Sequence, residues 1–322
     1  MNATKYNVYM RRALILYNPA AGRFPVKPFL GSVTKSLARS GWNTDVVATQ
    51  NAAHTTESAR QAASEKYDAV FASGGDGTMG LTASGLVGTD TALGILPSGT
   101  ANVLAIELGL PIFSWVRPWV LEQNARLLAN SPVCSVDVGE CNGQIFLLWA
   151  GMGLDAMTIH ALEPRIRVEK FFAFPEYFVS TVRNASVWSG VNLRLWADEH
   201  EIEGHFMVVV ANNIRRYMGG FSILSPDAYI DDGIFDIWLL SGNSLADALR
   251  QAYDLWRGNH LTSSTAKKLS FRTLRVEADA PFLVQADGDP RPETTRVDIT
   301  IRARALKMLL PPNALGLLSE KI

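Results

Sequence analysis

The sequence predicts an α/β domain with a parallel sheet, followed by a β-rich domain of sandwich type. Two observations carry that reading. In the first third, short apolar runs alternate with helical patterns in units of about 30 residues, which needs crossover connections and therefore parallel strands. From about residue 134 the pattern becomes many short strands with turn signals between them, the pattern of an antiparallel sandwich or barrel.

Residues 13–17 form an apolar run that stops at Asn18-Pro19, a first strand. Residues 26–39 read as a helix closed by Gly41, 45–48 as a second strand, and 56–67 as a helix with Glu, Arg and Lys on its outer face. A third strand at 69–72 runs straight into Ser73-Gly-Gly-Asp-Gly77. The helix over 79–86 is weakened by Gly80 and Gly85. Residues 92–96 are a fourth strand ending at Pro97-Ser-Gly99, and 101–108 the next helix. Continuous apolar strands fit a sheet covered on both faces, and ligands of such sheets bind at the carboxyl ends of the strands. Both glycine-rich loops fall there, with Asn18-Pro19 and Thr49.

In the second half, residues 136–138, 144–149, 192–196, 205–210, 235–240, 269–276, 282–285 and 297–301 read as strands, and 177–187 and 245–257 as helical insertions. The boundary falls near Ser131-Pro132. The expected domains are 1–131 and 132–322, with residues from about 305 to 322 free to pack back on the first.

Composition narrows the function. The chain has 322 residues, a length suited to two domains. With 48% hydrophobic and 19% charged residues it is not a disordered chain. Thirty basic against 31 acidic residues give a net charge of -1, so a whole-protein basic field for nucleic acid is absent. Cys134 and Cys141 are too few for a disulfide framework and read as reduced thiols of an intracellular protein. The five histidines show no HExxH spacing. No run approaches about 18 apolar residues, so no transmembrane segment is expected. The basic start, residues 1–12, lacks a following apolar stretch and is not read as a secretory signal.

The loop Ser73-Gly-Gly-Asp-Gly-Thr78 follows a strand and opens a helix. Adjacent glycines let the backbone approach a ligand, and successive N–H groups at a helix N-terminus make an anion nest. A carboxylate there would repel phosphate unless it holds Mg²⁺ or orients a nucleophile. The plainer reading is a tight turn with Asp76 as helix cap and Thr78 in the first turn. No Lys follows Gly77, so this is not a Walker A loop, and GxGxxG spacing is absent after the first strand.

Asn18-Pro-Ala-Ala-Gly22, Gly74-Gly-Asp-Gly-Thr78 and Pro97-Ser-Gly-Thr-Ala-Asn102 resemble the three N-terminal signatures of the diacylglycerol kinase catalytic-domain family, which includes sphingosine and ceramide kinases and bacterial soluble lipid kinases. Trp149-Ala-Gly-Met-Gly-Leu-Asp-Ala156, Val210-Ala-Asn-Asn213, the segment 225–236 and Val284-Gln-Ala-Asp-Gly-Asp289 are similar to family segments, so the resemblance spans nearly the whole chain. It implies an α/β nucleotide-binding domain like those of NAD and diacylglycerol kinases, a β-rich lipid-substrate domain, and a cleft between them. It implies phosphoryl transfer from ATP, with Mg²⁺, to the hydroxyl of a membrane lipid of diacylglycerol, sphingoid-base or ceramide type.

By the resemblance, Asn18, Thr49, Gly74, Gly75, Asp76, Gly77, Thr78, Gly99 and Thr100 line the nucleotide site. Asp232, helped by the backbone carbonyls of Tyr229 and Ile234, is the implied Mg²⁺ ligand; on sequence alone Asp231-Asp232-Gly233 is also an ordinary surface turn. The implied general base is the acidic residue after the glycine of Asp287-Gly-Asp289, usually Glu and here Asp289, with Asp76 as the competing assignment. Two usually acidic positions are apolar, Leu81 and Val103, and Gly80 stands where Asn is usual.

The aromatic segments 113–119 and 171–178, the second beside Arg165, Arg167 and Lys170, are read either as a lipid-cleft rim or as packing. The expected setting is cytoplasmic with peripheral membrane association, no nucleic-acid partner, and a homodimer left open. A kinase of a soluble substrate such as NAD, and a non-catalytic nucleotide- or lipid-binding regulator, are the competing functions.

Overall fold

The computed structural model describes residues 10–162, 188 and 190–319. Strands β1 (Arg11–Tyr17), β2 (Trp42–Ala48), β3 (Ala69–Gly74) and β4 (Ala92–Pro97) lie parallel in the order β2-β1-β3-β4. Strands β3 and β4 are buried at every residue, as a sheet covered on both faces requires. Helix α1 (Leu30–Arg39) packs against α5 (Val120–Ala129), and α2 (Ala52–Ser64) against α3 (Asp76–Leu86). Gly85 is the crossing point of α2 and α3, where a Cβ would meet the Thr56 carbonyl oxygen at 2.4 Å. The short α4 (Val103–Glu107) follows the second glycine loop.

The second half is antiparallel. Strands β5 (Val133–Cys141), β6 (Gln144–Phe146), β7 (Trp149–Gly153), β8 (Val191–Ala197), β9 (His200–Phe206) and β10 (Val208–Asn212) are followed by a small hairpin, β11 (Arg216–Tyr217) and β12 (Ser222–Ile223). Strands β13 (Phe235–Leu240), β14 (Ala266–Phe271), β15 (Thr273–Ala286) and β16 (Asp289–Leu309) complete it. The order β14-β13-β10-β7-β15-β16 is extended by β5 on β16 and by β8–β9 on β15. Helices α6 (Leu154–Leu162) and α7 (Leu245–Arg257) are inserted between strands. A buried cluster that includes Phe146, Leu195, Phe235 and Phe271 fills this sandwich, and a second fills the α/β half and runs on into the second half through Leu154, Val210 and Trp238.

The two halves share one sheet. The register of β16 shifts between Arg302 and Leu306, where Arg304 has φ +49° and its N–H donates to Asp137 Oδ1 at 2.6 Å. A bulge of this kind bends its strand. Beyond it, Met308 pairs in parallel with Leu93 of β4, and the Gly88 N–H donates to the Ala305 carbonyl at 2.7 Å.

Several element bounds differ from the sequence expectation, each for a physical reason. Pro28 leaves residues 27–29 as a 3₁₀ turn before α1 begins at Leu30. Helix α2 starts early because the Asn51 side chain caps it, accepting from the His54 N–H at 2.8 Å. The run 144–149 breaks at Leu147-Leu148, and 205–210 breaks at Met207. The run 269–276 breaks at Arg272, whose N–H donates to Asp198, as does that of Thr273. Helices α5 and α6 carried no sequence expectation. The helix expected at 177–187, the aromatic run 171–178 and Arg165, Arg167 and Lys170 lie outside the described residues.

Candidate active site

Parallel order puts the loops after β1, β2, β3 and β4 at one edge. The Asn18 N–H donates to the Ser73 carbonyl and the Thr49 N–H to the Tyr17 carbonyl, both at 2.9 Å. Asn18 Nδ2 approaches Thr78 Oγ1 at 3.4 Å. Gly75 caps α3 in an extended conformation, so Asp76, Gly77 and Thr78 form its first turn rather than a loop ahead of it. The Gly74 carbonyl accepts from the N–H groups of both Ser98 and Gly99 at 2.9 Å, which locks the two glycine loops together. They touch so closely that a Cβ on Gly99 would lie 2.2 Å from Gly75 Cα. Gly22, at φ +65°, leaves no room either, since its Cβ would meet Ser98 O at 2.0 Å.

Asp76 is tied down. Its two carboxylate oxygens accept from the N–H groups of Val103 and Leu104, each at 3.1 Å. These are orphan donors at the start of α4, so Asp76 fastens the first turn of α3 to that of α4. Burial pushes its pKa up, and the two N–H donors partly offset that. The apolar Val103 contributes through its backbone.

The β15–β16 hairpin brings the second acidic pair to the same place. Asp287 and Gly288, at φ +54° and +81°, make a two-residue turn, with Ala286 opposite Asp289. Asp287 faces inward and accepts from the N–H groups of Leu147 (2.7 Å), Leu148 (2.8 Å) and Trp149 (3.3 Å). Burial, together with the nearby Asp76 charge, pushes its pKa up to about 7 against the pull of those donors. Asp289 is exposed and faces the glycine loop: a Cβ on Gly77 would lie 3.7 Å from its Oδ2. A Cβ on Gly80 would lie 3.5 Å from Asp287 Oδ2, so the missing side chain at residue 80 opens space beside that carboxylate.

Between these groups is a cavity of about 410 Å³. Its polar lining includes Arg23, Asp76, Thr100 and Asp289 with Gly75 and Gly77. Its apolar lining includes Ile106, Leu148, Trp149, Ile159, Met218 and Phe221. Asp155 reaches it from α6 and accepts from Tyr217 Oη at 2.7 Å and Gln285 Nε2 at 2.6 Å. Gln285 Oε1 in turn accepts from the Gly288 N–H at 2.9 Å, so the pair braces the hairpin tip. Asp155, Tyr217, Gln285 and the inward role of Asp287 were missed by sequence reasoning. Asp155 and Gln285 lie inside quoted motifs, but their partners are distant in sequence.

Tyr229, Asp232 and Ile234 belong to a different place, the turn before β13, and do not line the cavity. Asp232 Oδ1 accepts from the Ile234 N–H at 3.0 Å. Burial and the charges of Asp231 and Asp236 push its pKa up, partly offset by the Ile234 N–H. Asp231 accepts from the Ser319 N–H and lies 3.6 Å from Arg304, while Asp137 accepts from Gly233 and Arg304 N–H groups. A hard cation prefers oxygen ligands, but Arg304, whose Nε also donates to the Asp231 carbonyl at 3.0 Å, already offsets part of this negative charge. No cluster of three or more His, Cys, Asp or Glu side chains able to hold a metal occurs among the described residues.

The aromatic segment 113–119 divides: Phe113 is buried against Phe29, while Trp115 and Trp119 are exposed, Trp115 with its ring 5.8 Å from Phe24. Both cysteines are buried and unbridged. Among the described residues no helix is long and apolar enough to cross a membrane.

An α/β domain and an antiparallel β domain, meeting at a cleft that carries a glycine-rich helix start, define a two-domain architecture shared with known proteins. Residues 12–141 match the diacylglycerol kinase catalytic domain, and residues 150–310 the YegS C-terminal NAD kinase beta sandwich-like domain. The chain belongs to the diacylglycerol kinase catalytic-domain family. It is 29% identical to a diacylglycerol kinase of Bacillus subtilis over 282 residues, covering 87% of this chain and 90% of the relative. It is 25% identical to a diacylglycerol kinase of Staphylococcus saprophyticus, covering 87% of this chain and 89% of the relative. A crystal structure of a diacylglycerol kinase from Bacillus anthracis str. Sterne superposes with a TM-score of 0.70 at 22% identity, covering 94% of this chain and 98% of that one. A second solved chain from that organism gives 0.75 at 24% identity with the same coverage.

Proposed function

We propose that this protein is an ATP-dependent lipid kinase that transfers the γ-phosphate of ATP to the hydroxyl of a membrane lipid alcohol, of the diacylglycerol type named for its relatives. The observation that carries the proposal is the mixed lining of one cleft. Glycine-loop residues Gly75, Gly77 and Thr100 share it with Asp289 and with the apolar Ile106, Trp149, Met218 and Phe221. A soluble acceptor such as NAD would have little use for that apolar lining.

In this reading Asn18, Thr49, Gly74, Gly75, Gly77, Thr78, Gly99 and Thr100 hold the nucleotide. The start of α3 offers N–H groups and partial positive charge to the phosphates. The lipid hydroxyl enters past the apolar lining residues. Asp289 takes its proton as the oxygen bonds to the γ-phosphorus, and the bond from that phosphorus to the β,γ-bridging oxygen breaks, releasing ADP. Both Asp76 oxygens are committed to α4 N–H groups, which favours Asp289 as the base and gives Asp76 a positioning role. Mg²⁺ bound with the nucleotide supplies neutralisation of the phosphate charge. A second cation at the turn would be held by Asp232 with the carbonyls of Tyr229 and Ile234; none of the three lines the cavity, so that role would be structural.

The working place of such an enzyme is the cytoplasmic surface of a membrane. The test is transfer from labelled MgATP into extracted membrane lipids in mixed micelles, with the products separated by thin-layer chromatography. Labelled phosphatidate is the expected product. ATP binding with no labelled lipid would sink the proposal in favour of a soluble acceptor or a non-catalytic regulator.

A further inference from the structure

We infer that the outward face of α7, with the neighbouring β11–β12 hairpin, is a docking surface for an anionic lipid bilayer, an inference that rests on the lipid-kinase proposal. Helix α7 is already seated by one face: Leu255 and Gln251 are buried, and Gln251 Nε2 donates to the Ser241 carbonyl. A helix that needs only this contact would be polar on its other side. Instead Leu249, Tyr253 and Trp256 are 46%, 55% and 66% exposed. Their spacing of four and three residues places them in one stripe.

The charges that stand fully exposed on that face have one sign, on a helix whose two arginines and two aspartates balance. The exposed ionisable residues of the helix are Arg250 and Arg257, while Asp247 and Asp254 sit half-buried on its flanks. Arg250 lies 3.0 Å from Asp247, so its charge is shared, and Arg257 lies 5.8 Å from the Trp256 ring centroid. Tyr253 and Trp256 are ring neighbours, with centroids 6.2 Å apart. Aromatic rings with a polar edge, flanked by arginines, suit the headgroup layer of an anionic membrane. Helix α7 has 13 residues, about 20 Å, which is enough to lie in that layer and too short to cross it.

The surface is continuous with the cleft. Ser222 Oγ donates to the Leu255 carbonyl at 2.7 Å and fastens the hairpin to α7. Met218, Gly219 and Phe221 at the hairpin tip line the cavity, and Phe221 and Ile223 are 64% and 48% exposed. A bilayer seated on α7 would therefore meet the mouth through which a lipid hydroxyl must enter.

The test is co-sedimentation of the full chain with vesicles of phosphatidylcholine, with and without phosphatidylglycerol. The expected result is binding that favours phosphatidylglycerol, cut at least about tenfold by Tyr253→Glu with Trp256→Glu. Arg250→Gln with Arg257→Gln is expected to remove the preference for the anionic lipid. Equal binding by wild type and the Tyr253/Trp256 variant would overturn the inference. So would a wild-type dimer that this variant makes monomeric, with no vesicle binding by either, which would assign the face to a second copy. Transfer to a short-chain diacylglycerol dispersed below its micellar concentration separates the two ideas. The variants are expected to match wild type there, with unchanged melting temperature. Wild type failing on that acceptor would overturn the lipid-kinase proposal, whereas a variant failing alongside an active wild type would overturn the docking role by showing damage to the cleft.

Discussion

Asp287 turns its carboxylate onto three backbone N–H groups, whereas Asp289, two residues along the same hairpin, faces Gly77 across the cleft. Asp287→Asn replaces one acceptor oxygen by a donor that meets another donor. It is expected to destabilise the protein by about 1–3 kcal/mol, measured by urea unfolding. The pH dependence follows from the raised pKa. The folded state holds this proton more tightly than the unfolded chain, so the contribution is fully present below the ordinary value of 3.8 and is lost as pH rises through about 7. Wild-type stability is expected to decline across that window, and Asp287→Asn to decline less. A decline as steep in the variant would remove Asp287 as its source. Gly22→Ala sets a Cβ 2.0 Å from Ser98 O at a positive φ. It is expected to abolish nucleotide binding or folding, read by calorimetric titration and thermal melting.

At the scale of elements, the two glycine loops work as a pair held by the Gly74 carbonyl and by Asp76. Asp76→Asn leaves one of the Val103 and Leu104 donors unmatched and is expected to cost about 1–2 kcal/mol as well as turnover. The same variant keeping wild-type stability would show that α4 needs no such cap. The four parallel strands and both glycine loops were legible because their apolar runs are continuous and their breakers local. The break at Leu147-Leu148 was not, because it is imposed by Asp287, 140 residues further on. Helix α6 carried no sequence expectation, and Gly153 just before it, at a positive φ, serves a close approach to Met207 O. Asp76 as the cap of its own helix was among the plain readings of the loop, but Gly75 holds that position and the helix start that Asp76 fastens is that of α4. For the Asp232 turn, Mg²⁺ is expected to raise the melting temperature of the full chain, and Asp232→Asn to remove that increment. An equal increment in the variant would place the cation elsewhere.

At the scale of the whole molecule, the chain ends by returning to its first domain. Met308 pairs with Leu93, Lys307 Nζ lies 2.6 Å from Asp90 Oδ1, and the Ala305 carbonyl accepts from the Gly88 N–H at 2.7 Å. The division near residue 131 that we propose is therefore one of architecture, not of independent folding. A fragment of residues 1–131 leaves the β4 edge open and is expected to aggregate or melt without cooperativity, seen by size exclusion and circular dichroism. A monomeric fragment with a sharp transition would show the returning strand to be dispensable. The shared sheet also fixes the distance from the glycine loop to the hairpin that carries Asp289, on which the proposed chemistry depends. The most direct test is transfer from MgATP to a short-chain diacylglycerol by wild type, Asp289→Asn and Asp289→Glu, beside nucleotide affinity and melting temperature. The expected result is a loss of about 100-fold or more in kcat for Asp289→Asn with binding and stability kept, and substantial activity in Asp289→Glu. Wild-type turnover in Asp289→Asn would contradict the assignment of Asp289 as the base.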